Sequence, residues 1–516
     1  MKKYRIYKSI IFAFAFLSLA IIFTSCDKDF EEINTDPNKP VNVPNSYYLT
    51  QAQRGIMDNT SDVWWGANVG NQLAQYWSSN QYSSESRYQF RGPVTNSYWR
   101  LFYAGGLNDA EAEVGGLLEL QRIIDNCTNS ATRGISSASG DPDNQITVAT
   151  ILQVWLFQNM TDCWGDIPYS EALDPDNTRT PKYDSQSSIY SGLLSELNTA
   201  LGLINTSQPG PSGDLIYGGV MSKWKSFGNA LKMRVALRMA DVDNATAQSA
   251  FTQAVTAGTF TSNSDNALLP YGEGSDYNLI YFNYELDNRN DYASSNIMLD
   301  STLEPLADPR MPCFFSPADA DTSWTGEVYG LDEGNAAATP NASVSQRSSL
   351  VLSASLPGIF MDYAQVEFML AEAVARGWAV SGSAKSHYDA GTTASIDFWT
   401  DLNGNPATPG DISTYLSQAG VDYDSLMAAG QTWKQIVGKQ KWIALYNQGI
   451  QGWTEWRRLD FGILQLPADG VLDGNGIPTR MLYAFDEQTL NAGNYSAAIV
   501  NQGPDLQNTK LWWDIY

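Results

Sequence analysis

Apolar residues recur every three to four positions through much of this sequence, and that periodicity constrains the fold more than any other feature. Val148, Ile151, Leu152 and Trp155 have the spacing that places side chains on one face of a helix. We therefore expect a helix over 147–162. The same spacing recurs in four further segments, 189–204, 224–238, 363–374 and 433–444.

The predicted helices come in neighbouring pairs, which indicates how they pack. Segments 147–162 and 187–206 form one pair, and segments 361–377 and 383–399 form another. Paired helices that stack on each other bury a shared core, as in a helical solenoid. No clean period of about 34 residues can be aligned, so any repeat is degenerate. The sequence predicts a mainly α-helical fold.

Long irregular stretches separate the helical blocks. Residues 259–360 and 400–430 are rich in Gly, Ser, Asn, Asp and Pro, and residues 461–510 have a similar composition. A short strand is predicted within 341–352. Loops of this length are uncommon in a compact domain unless they are functional.

Charge and residue usage exclude several classes of protein. The 516 residues include 31 Lys and Arg against 56 Asp and Glu, a formal net charge of −25, which opposes binding to nucleic acid. His387 is the single histidine, so zinc sites built on a histidine pair are excluded. A Ser-His-Asp or Cys-His mechanism would depend on that one residue. Three widely spaced cysteines beyond the N-terminal region support neither a disulfide framework nor a metal site: Cys127, Cys163 and Cys313.

The first segment has the pattern of a secretory signal. Basic residues in 1–9 precede an apolar run, Ile10–Phe23, that is too short to span a bilayer. Ser25 then precedes Cys26, as lipoprotein processing requires, so we expect residues 1–25 to be removed and Cys26 to be acylated. The alternative is ordinary cleavage nearby. Because the mature chain is even more acidic, the lipid must hold it on a membrane through a tether over residues 26–45.

The segment 162–172 ends the first strong helix and has two interpretations. Gly165 can adopt the left-handed conformation that terminates a helix, and Pro168 prevents its continuation. The structural interpretation, a packed corner, accounts for the whole segment. In the alternative, three carboxylates are catalytic or bind a metal: Asp162, Asp166 and Glu171.

This corner resembles a signature of the SusD/RagB family of nutrient-binding outer-membrane lipoproteins, in its SusD-like branch. Further matching motifs follow in fixed order and extend the resemblance over residues 26 to about 495. They include Phe30-Glu31-Glu32-Ile33-Asn34, Pro181-Lys182-Tyr183-Asp184, Gly213-Asp214-Leu215-Ile216-Tyr217, Ala371-Glu372-Ala373, Gln440-Lys441-Trp442 and Glu455-Trp456-Arg457-Arg458.

The resemblance implies a TPR-like helical body over residues 46–516, with loop insertions at about 259–360 and 400–430. It implies a lipoprotein at the cell exterior that captures oligosaccharides, or in some members peptides, and passes them to a SusC-type TonB-dependent transporter. It implies neither catalysis nor a cofactor.

Aromatic residues in the loops are the expected ligand site, because a flat ring covers the apolar face of a sugar while amide and Arg groups bind its hydroxyls. The alternative is that Trp64 and Trp77 belong to the core of a first helix. The candidate ligand-binding residues are Trp64, Trp65, Trp77, Tyr82, Tyr88, Tyr281, Tyr284 and Trp324.

Several residues also permit other functions. The segment 401–405 begins like a calcium loop, but Pro406 and Ile412 stand where the turn Gly and the bidentate Glu belong. A structural calcium ion elsewhere in an acidic loop is left open, with no residue assigned. Arg457 and Arg458 could bind an anion, or pair with acids in the core. A glycoside hydrolase with two carboxylates and a peptide-binding module are the alternative functions.

Overall fold

Helices dominate the part of the chain that the computed structural model describes, residues 43–105, 116–274, 276–472, 474 and 476–516. The mainly α-helical prediction is confirmed, whereas the predicted signal peptide and Cys26 lie outside the described residues. The α-helices of eight or more residues in the described part of the chain are α1 (Asn45–Ser61), α2 (Gly92–Ala104), α3 (Leu117–Thr128), α4 (Pro142–Trp164), α5 (Gln186–Leu203), α6 (Met221–Arg238), α7 (Asn244–Ala257), α8 (Tyr363–Ala375), α9 (Ala384–Leu402), α10 (Pro409–Leu416), α11 (Trp433–Ala444), α12 (Gly449–Leu459) and α13 (Ala492–Gln502).

Helices that follow one another in the chain pack as neighbours. Helix α4 packs between α3 and α5, α6 packs on α5 and α7, and α8 packs on α9 and α11. Both predicted pairs are therefore confirmed, α4 with α5 and α8 with α9. Helix α12 closes the row by packing on α11 and on α4. The segment Asn45–Tyr516 is one compact unit.

Helix α4 shows how local sequence sets these elements. Its first turn is capped by Asp141, whose side chain accepts the N–H groups of Asp143 and Asn144, with Pro142 at the first position. It ends at Gly165, where φ is +85°. The sequence predicts one apolar face, but nearly every residue of α4 is buried, because other helices cover it on several sides.

Strands are short and join distant loops. Among the described residues, eight strands form four antiparallel pairs, and the predicted strand within 341–352 is confirmed. The pairs are β1 (Trp77–Ser79) with β5 (Tyr292–Ser294), β2 (Ile167–Pro168) with β3 (Tyr183–Asp184), β4 (Ala267–Leu269) with β8 (Gly358–Met361), and β6 (Phe315–Ser316) with β7 (Gln346–Arg347).

The stretches predicted to be irregular contain more helix than expected. Residues 400–430 hold α10, and residues 461–510 hold α13. Helix α10 is set by Thr408 and Asp411, which cap it reciprocally, but it buries only Ile412 and Tyr415, too few for a periodic signal. Shorter helical segments lie at Arg133–Ser136, Leu279–Tyr281, Met311–Phe314, Glu333–Ala337, Tyr423–Ala428 and Glu487–Leu490, with π-helices at Val63–Asn71, Phe282–Leu286 and Leu299–Leu303 and 3₁₀ turns at Glu85–Arg87, Ser137–Ser139, Asn263–Asp265, Glu304–Leu306 and Asn341–Ser343.

Buried charges connect the helices at the centre of the body. Arg238 on α6 lies 3.1 Å from Asp162 on α4 and also donates to Glu455 on α12. Arg458 on α12 binds both Glu455 and Glu372 on α8. A buried charge that is paired and hydrogen-bonded is tolerated where an unpaired one is not. Asp162 belongs to this network and is buried, which fits the packed-corner interpretation of segment 162–172. Arg458 is buried as well and pairs with acids in the core.

The other polar residues of that corner also have structural partners. Asp166 accepts the backbone N–H of Gln186 at 2.8 Å and the side-chain amide of Asn501 at 2.6 Å. Glu171 lies at the surface, 3.2 Å from the ammonium of Lys182. Arg457 donates to the backbone oxygens of Asp162 and Thr479, so its guanidinium binds the backbone of the corner.

No helix within the described ranges has both the length and the apolar character needed to cross a membrane.

Candidate functional site

A cavity of about 830 Å³ lies between the π-helix Val63–Asn71 and the segment 277–292. Its volume is within the range of roughly 300–1,000 Å³ that small-molecule sites occupy. Aromatic rings and polar groups share its lining. The lining residues are Asn59, Asp62, Val63, Trp64, Asn68, Gln81, Tyr82, Arg91, Tyr277, Leu279, Phe282, Asn283, Asp287, Arg289, Asp291 and Tyr292.

Asp62 fixes the first wall of this cavity. Its carboxylate accepts the backbone N–H of Trp65 at 2.7 Å and of Trp64 at 3.1 Å, and also the hydroxyl of Tyr98. Burial raises the pKa of Asp62 to about 6, although these hydrogen bonds oppose the rise. Because neighbouring side chains on a helix point in different directions, Trp64 faces the cavity while Trp65 enters the core.

Three of the eight candidate residues lie in the core, contrary to the expectation that they bind a ligand: Trp65, Trp77 and Tyr88. The ring of Trp65 stacks on Trp164 at 5.1 Å between centroids. Trp77 donates its indole N–H to the hydroxyl of Tyr446 at 2.9 Å. Other side chains cover all three rings, so we do not place them in the ligand site.

Tyr82 presents the most exposed ring of the cavity, with 52% of its surface accessible. Its backbone is left-handed, with φ of +54°, which is uncommon for a residue with a Cβ. The Glu333 carboxylate holds this turn by accepting the N–H groups of Tyr82 at 3.2 Å and Ser83 at 3.0 Å. The guanidinium of Arg289 lies 5.1 Å from the ring centroid, and that of Arg91 lies 5.9 Å away.

The opposite wall is built on Tyr277 and Phe282, whose rings stack at 5.6 Å with an interplanar angle of 12°. Neither residue is among the eight candidates. Asn278 caps the short helix between them by accepting the N–H of Ile280, which sets the two rings side by side. The feature of the sequence that could have identified Tyr277 and Phe282 is the helix-capping Asn278 that lies between them.

The remaining candidates lie beside the cavity or away from it. The half-buried ring of Tyr281 contacts Tyr277, 5.9 Å between centroids. Tyr284 faces the buried guanidinium of Arg347 at 5.5 Å. Trp324 is half-buried against a separate part of the core. Trp64 and Tyr82 are therefore the candidates that the structure brings together in the cavity.

The polar groups of the cavity suit an uncharged ligand. Its two cations are already paired, Arg91 with Glu85 at 2.5 Å and Arg289 with Asp291 at 2.6 Å. Asn283 presents a buried side-chain oxygen that has no hydrogen-bond partner among the described residues. A buried acceptor without a partner costs free energy, and this oxygen is covered by other atoms and does not face the open space of the cavity.

Metal ligands and disulfides are not seen in the described part of the chain. No group of three His, Cys, Asp or Glu residues there is placed to hold a metal ion. Cys127, Cys163 and Cys313 are buried free thiols.

Comparison with known proteins gives one family and many similar folds. A family model described as SusD-like, "starch-binding associating with outer membrane", matches residues 37–484. A chitin-binding protein of known structure is 26% identical, with a TM-score of 0.77 over 92% of this chain and 100% of that one. No functionally curated protein matches this chain.

SusD homologues of known structure share the helical fold. One from Bacteroides uniformis is 24% identical, with a TM-score of 0.73 over 91% of this chain and 100% of its own. One from Parabacteroides distasonis is 23% identical, with a TM-score of 0.75 over 91% of this chain and 98% of its own. With its TPR-like helical body and a family match over most of its length, this chain belongs to the SusD-like family of outer-membrane-associated binding proteins.

Proposed function

We propose that this protein is a non-catalytic lipoprotein that captures oligosaccharides in the cavity bounded by Trp64, Tyr82, Tyr277 and Phe282. It delivers them to a SusC-type TonB-dependent transporter. Acylated Cys26 anchors it in the outer membrane, with the cavity facing the cell exterior.

The observation that carries this proposal is the combination of flat rings and hydrogen-bonding groups around one open cavity. Trp64 and Tyr82 can cover the apolar C–H face of a sugar, while the exposed amide of Gln81 can bind its hydroxyls. The paired state of Arg91 and Arg289 favours neutral sugars over anionic ones. The family description as starch-binding supports the same ligand class.

A binding array tests the ligand class directly. The full-length protein in detergent is applied to oligosaccharides of several linkages and, in parallel, to unstructured peptides. We expect binding to at least one class of sugar, weakened about tenfold by Trp64→Ala or Tyr82→Ala, because one stacking ring contributes about 1–2 kcal/mol. Tyr47→Ala, which removes an exposed ring outside the cavity, is the matched control. Binding to peptides alone would replace the glycan proposal with a peptide-capture function.

The transport role is tested separately in cells. Deletion of the gene should abolish growth on the captured sugar at limiting concentration, and cross-linking in intact membranes should join the protein to a TonB-dependent barrel. Hydrolysis of the bound glycan by the purified protein, lost on a single Glu→Gln substitution, would instead establish a glycoside hydrolase.

A further inference from the structure

The cavity wall that carries Tyr277 and Phe282 has little core of its own to hold it in place. Within residues 276–288 only Asn278 and Ile280 are buried, and the other side chains are half-buried or exposed. A segment that buries so few side chains has low local stability unless contacts with the rest of the protein anchor it. The position of this wall therefore depends on its anchors.

Arg54 on α1 is one such anchor, although it lies 222 positions from Asp276 in the sequence. Its guanidinium forms an ion pair with Asp276 and donates to the backbone oxygen of Tyr277 at 3.3 Å. Helix α1 packs on α3 and on the π-helix Val63–Asn71, so this contact ties the wall to the helical body. Arg54 is not among the residues that line the cavity, so it acts on the wall and not on the ligand.

The guanidinium of Arg54 is itself held in one orientation. Its Nε donates to both carboxylate oxygens of Asp58, at 2.9 and 3.1 Å, and its Cζ lies 4.3 Å from the ring centroid of Tyr271. The Tyr271 hydroxyl donates to the same carboxylate at 2.5 Å. Because the arginine fork is planar and rigid, fixing Nε directs the two terminal nitrogens at Asp276 and Tyr277.

We propose that Arg54 is a positioning residue for ligand binding, which orders the wall of Tyr277 and Phe282 before a sugar arrives. Binding costs less free energy when the groups that contact the ligand are already in place. The effect on affinity rests on the proposed capture function, whereas the ordering of the wall is a property of the protein alone and can be measured without sugar.

Hydrogen exchange of the full-length protein without sugar tests the ordering. We expect residues 276–287 to exchange about fivefold faster in Arg54→Met than in the wild type, the effect of losing one partly exposed ion pair. Arg122→Met is the matched control and should not change this exchange. Arg122 likewise pairs with a buried carboxylate, that of Glu119, and lies 5.8 Å from the ring centroid of Tyr48.

Titration with the oligosaccharide that the wild type binds most tightly on the array tests the effect on binding. Arg54→Met should weaken affinity about fivefold, and Arg54→Lys should weaken it less, because the ammonium keeps the charge without the fork. Asp276→Asn should weaken affinity too, and the double variant should be no weaker than Arg54→Met alone.

Salt distinguishes positioning through the ion pair from a general loss of structure. Raising NaCl from about 0.05 M to about 1 M should reduce the difference in affinity between the wild type and Arg54→Met, because salt screens the pair with the exposed Asp276 carboxylate. Comparing the two proteins at each concentration cancels the effects of salt that they share.

The outcomes separate this inference from the function on which it rests. Unchanged exchange of residues 276–287 or unchanged affinity in Arg54→Met would overturn the positioning role and leave sugar capture in place. An equal loss of affinity in Arg122→Met, or additive losses from Arg54→Met and Asp276→Asn, would overturn it as well. Absence of binding to every sugar on the array would overturn the proposed function, and with it the role of Arg54 in binding, while the exchange comparison would still show whether Arg54 orders the wall.

Discussion

Trp64 and Trp65 are adjacent in the sequence and have opposite surroundings in the structure. One lines the ligand cavity, and the other stacks between aromatic rings of the core. The sequence identifies both as candidates because residue type and local composition are identical for the two. Only the turn set by the Asp62 cap distinguishes them, and that turn depends on Tyr98, far along the chain. Residue type and local composition likewise do not show that Trp77 and Tyr88 are buried, which explains why the sequence identifies them as candidate ligand-binding residues.

This difference gives opposite expected phenotypes for two aromatic substitutions. Tyr82→Ala should weaken sugar binding about tenfold and leave the free energy of unfolding unchanged within about 0.5 kcal/mol, because the ring is half exposed. Trp65→Ala should lower the free energy of unfolding by about 3–5 kcal/mol, because it leaves a cavity in the core. Calorimetry and chemical denaturation measure the two effects. Equal loss of stability in both variants would contradict the assignment.

Glu327 should make stability depend on pH. It is buried, neither carboxyl oxygen has a hydrogen-bond partner among the described residues, and burial raises its pKa to about 7 from an ordinary value of 4.5. The folded protein therefore binds a proton more tightly than the unfolded chain. Ionisation of the buried Glu327 carboxyl destabilises the folded protein. This destabilisation is absent below about pH 4.5, grows as the pH rises and is complete above about pH 7.

Glu327→Gln removes this ionisation while keeping the side-chain shape. At pH 8 the variant should be more stable than the wild type, by a few kcal/mol in order of magnitude, and near pH 5 the difference should shrink toward zero. Denaturation curves of both proteins across this pH range give the comparison. A difference that does not change with pH would show that the Glu327 carboxyl does not titrate as described.

At the scale of elements, the periodicity of apolar residues correctly predicts the paired helices α4 with α5 and α8 with α9. It gives no prediction for α1, α2, α3, α7 and α12, and it places α10 and α13, which are short and bury few side chains, in stretches predicted to be irregular. Helix α13 buries only Ala498. A stripe needs several buried positions before it can be recognised, so short helices held by caps and by neighbours leave little trace in the sequence.

The buried charge network should contribute strongly to the stability of the helical body. Burial alone would raise the pKa of Glu455, but Arg458, Lys441 and Arg238 hold it well below its ordinary value. Glu455→Ala removes the carboxylate partner of buried Lys441 and one of the two carboxylate partners of both Arg238 and Arg458, so it should lower the free energy of unfolding by about 3–5 kcal/mol. Arg133→Ala, which breaks the exposed pair with Asp143, is the control and should cost under about 1 kcal/mol. Denaturation by urea measures both, and similar small effects would argue against the network's importance.

At the scale of the whole molecule, the motif resemblance predicts the family and the helical body, but the walls of the ligand cavity come from segments far apart in sequence. Trp64 and Tyr82 meet Tyr277 and Phe282 only after the chain has folded. A single sequence does not show which residues that are far apart in the chain lie close together in the folded protein. Composition can therefore mark aromatic loops as binding segments without showing which rings face each other.

The proposed attachment to the membrane concerns the whole chain and depends on Cys26. A labelled fatty acid supplied to growing cells should be incorporated into the wild type and absent from Cys26→Ala, because acylation of that residue is the proposed anchor. Cys127→Ala should be labelled like the wild type, since Cys127 is buried. Equal labelling of the Cys26 variant would refute the anchor while leaving the sugar site untouched.

The contact between Glu333 and the backbone of Tyr82 has a consequence for how relatives of this protein diverge. The two residues are 251 positions apart, yet the orientation of the ring depends on the distant carboxylate. If only one of the two loops, the one that carries Tyr82 or the one that carries Glu333, were exchanged between two relatives, the backbone of the tyrosine would lose its hydrogen bond to the carboxylate. A chimaera should therefore acquire the ligand preference of the second relative only when both loops are exchanged together. Selection on ligand choice should accordingly act on these two regions as a unit.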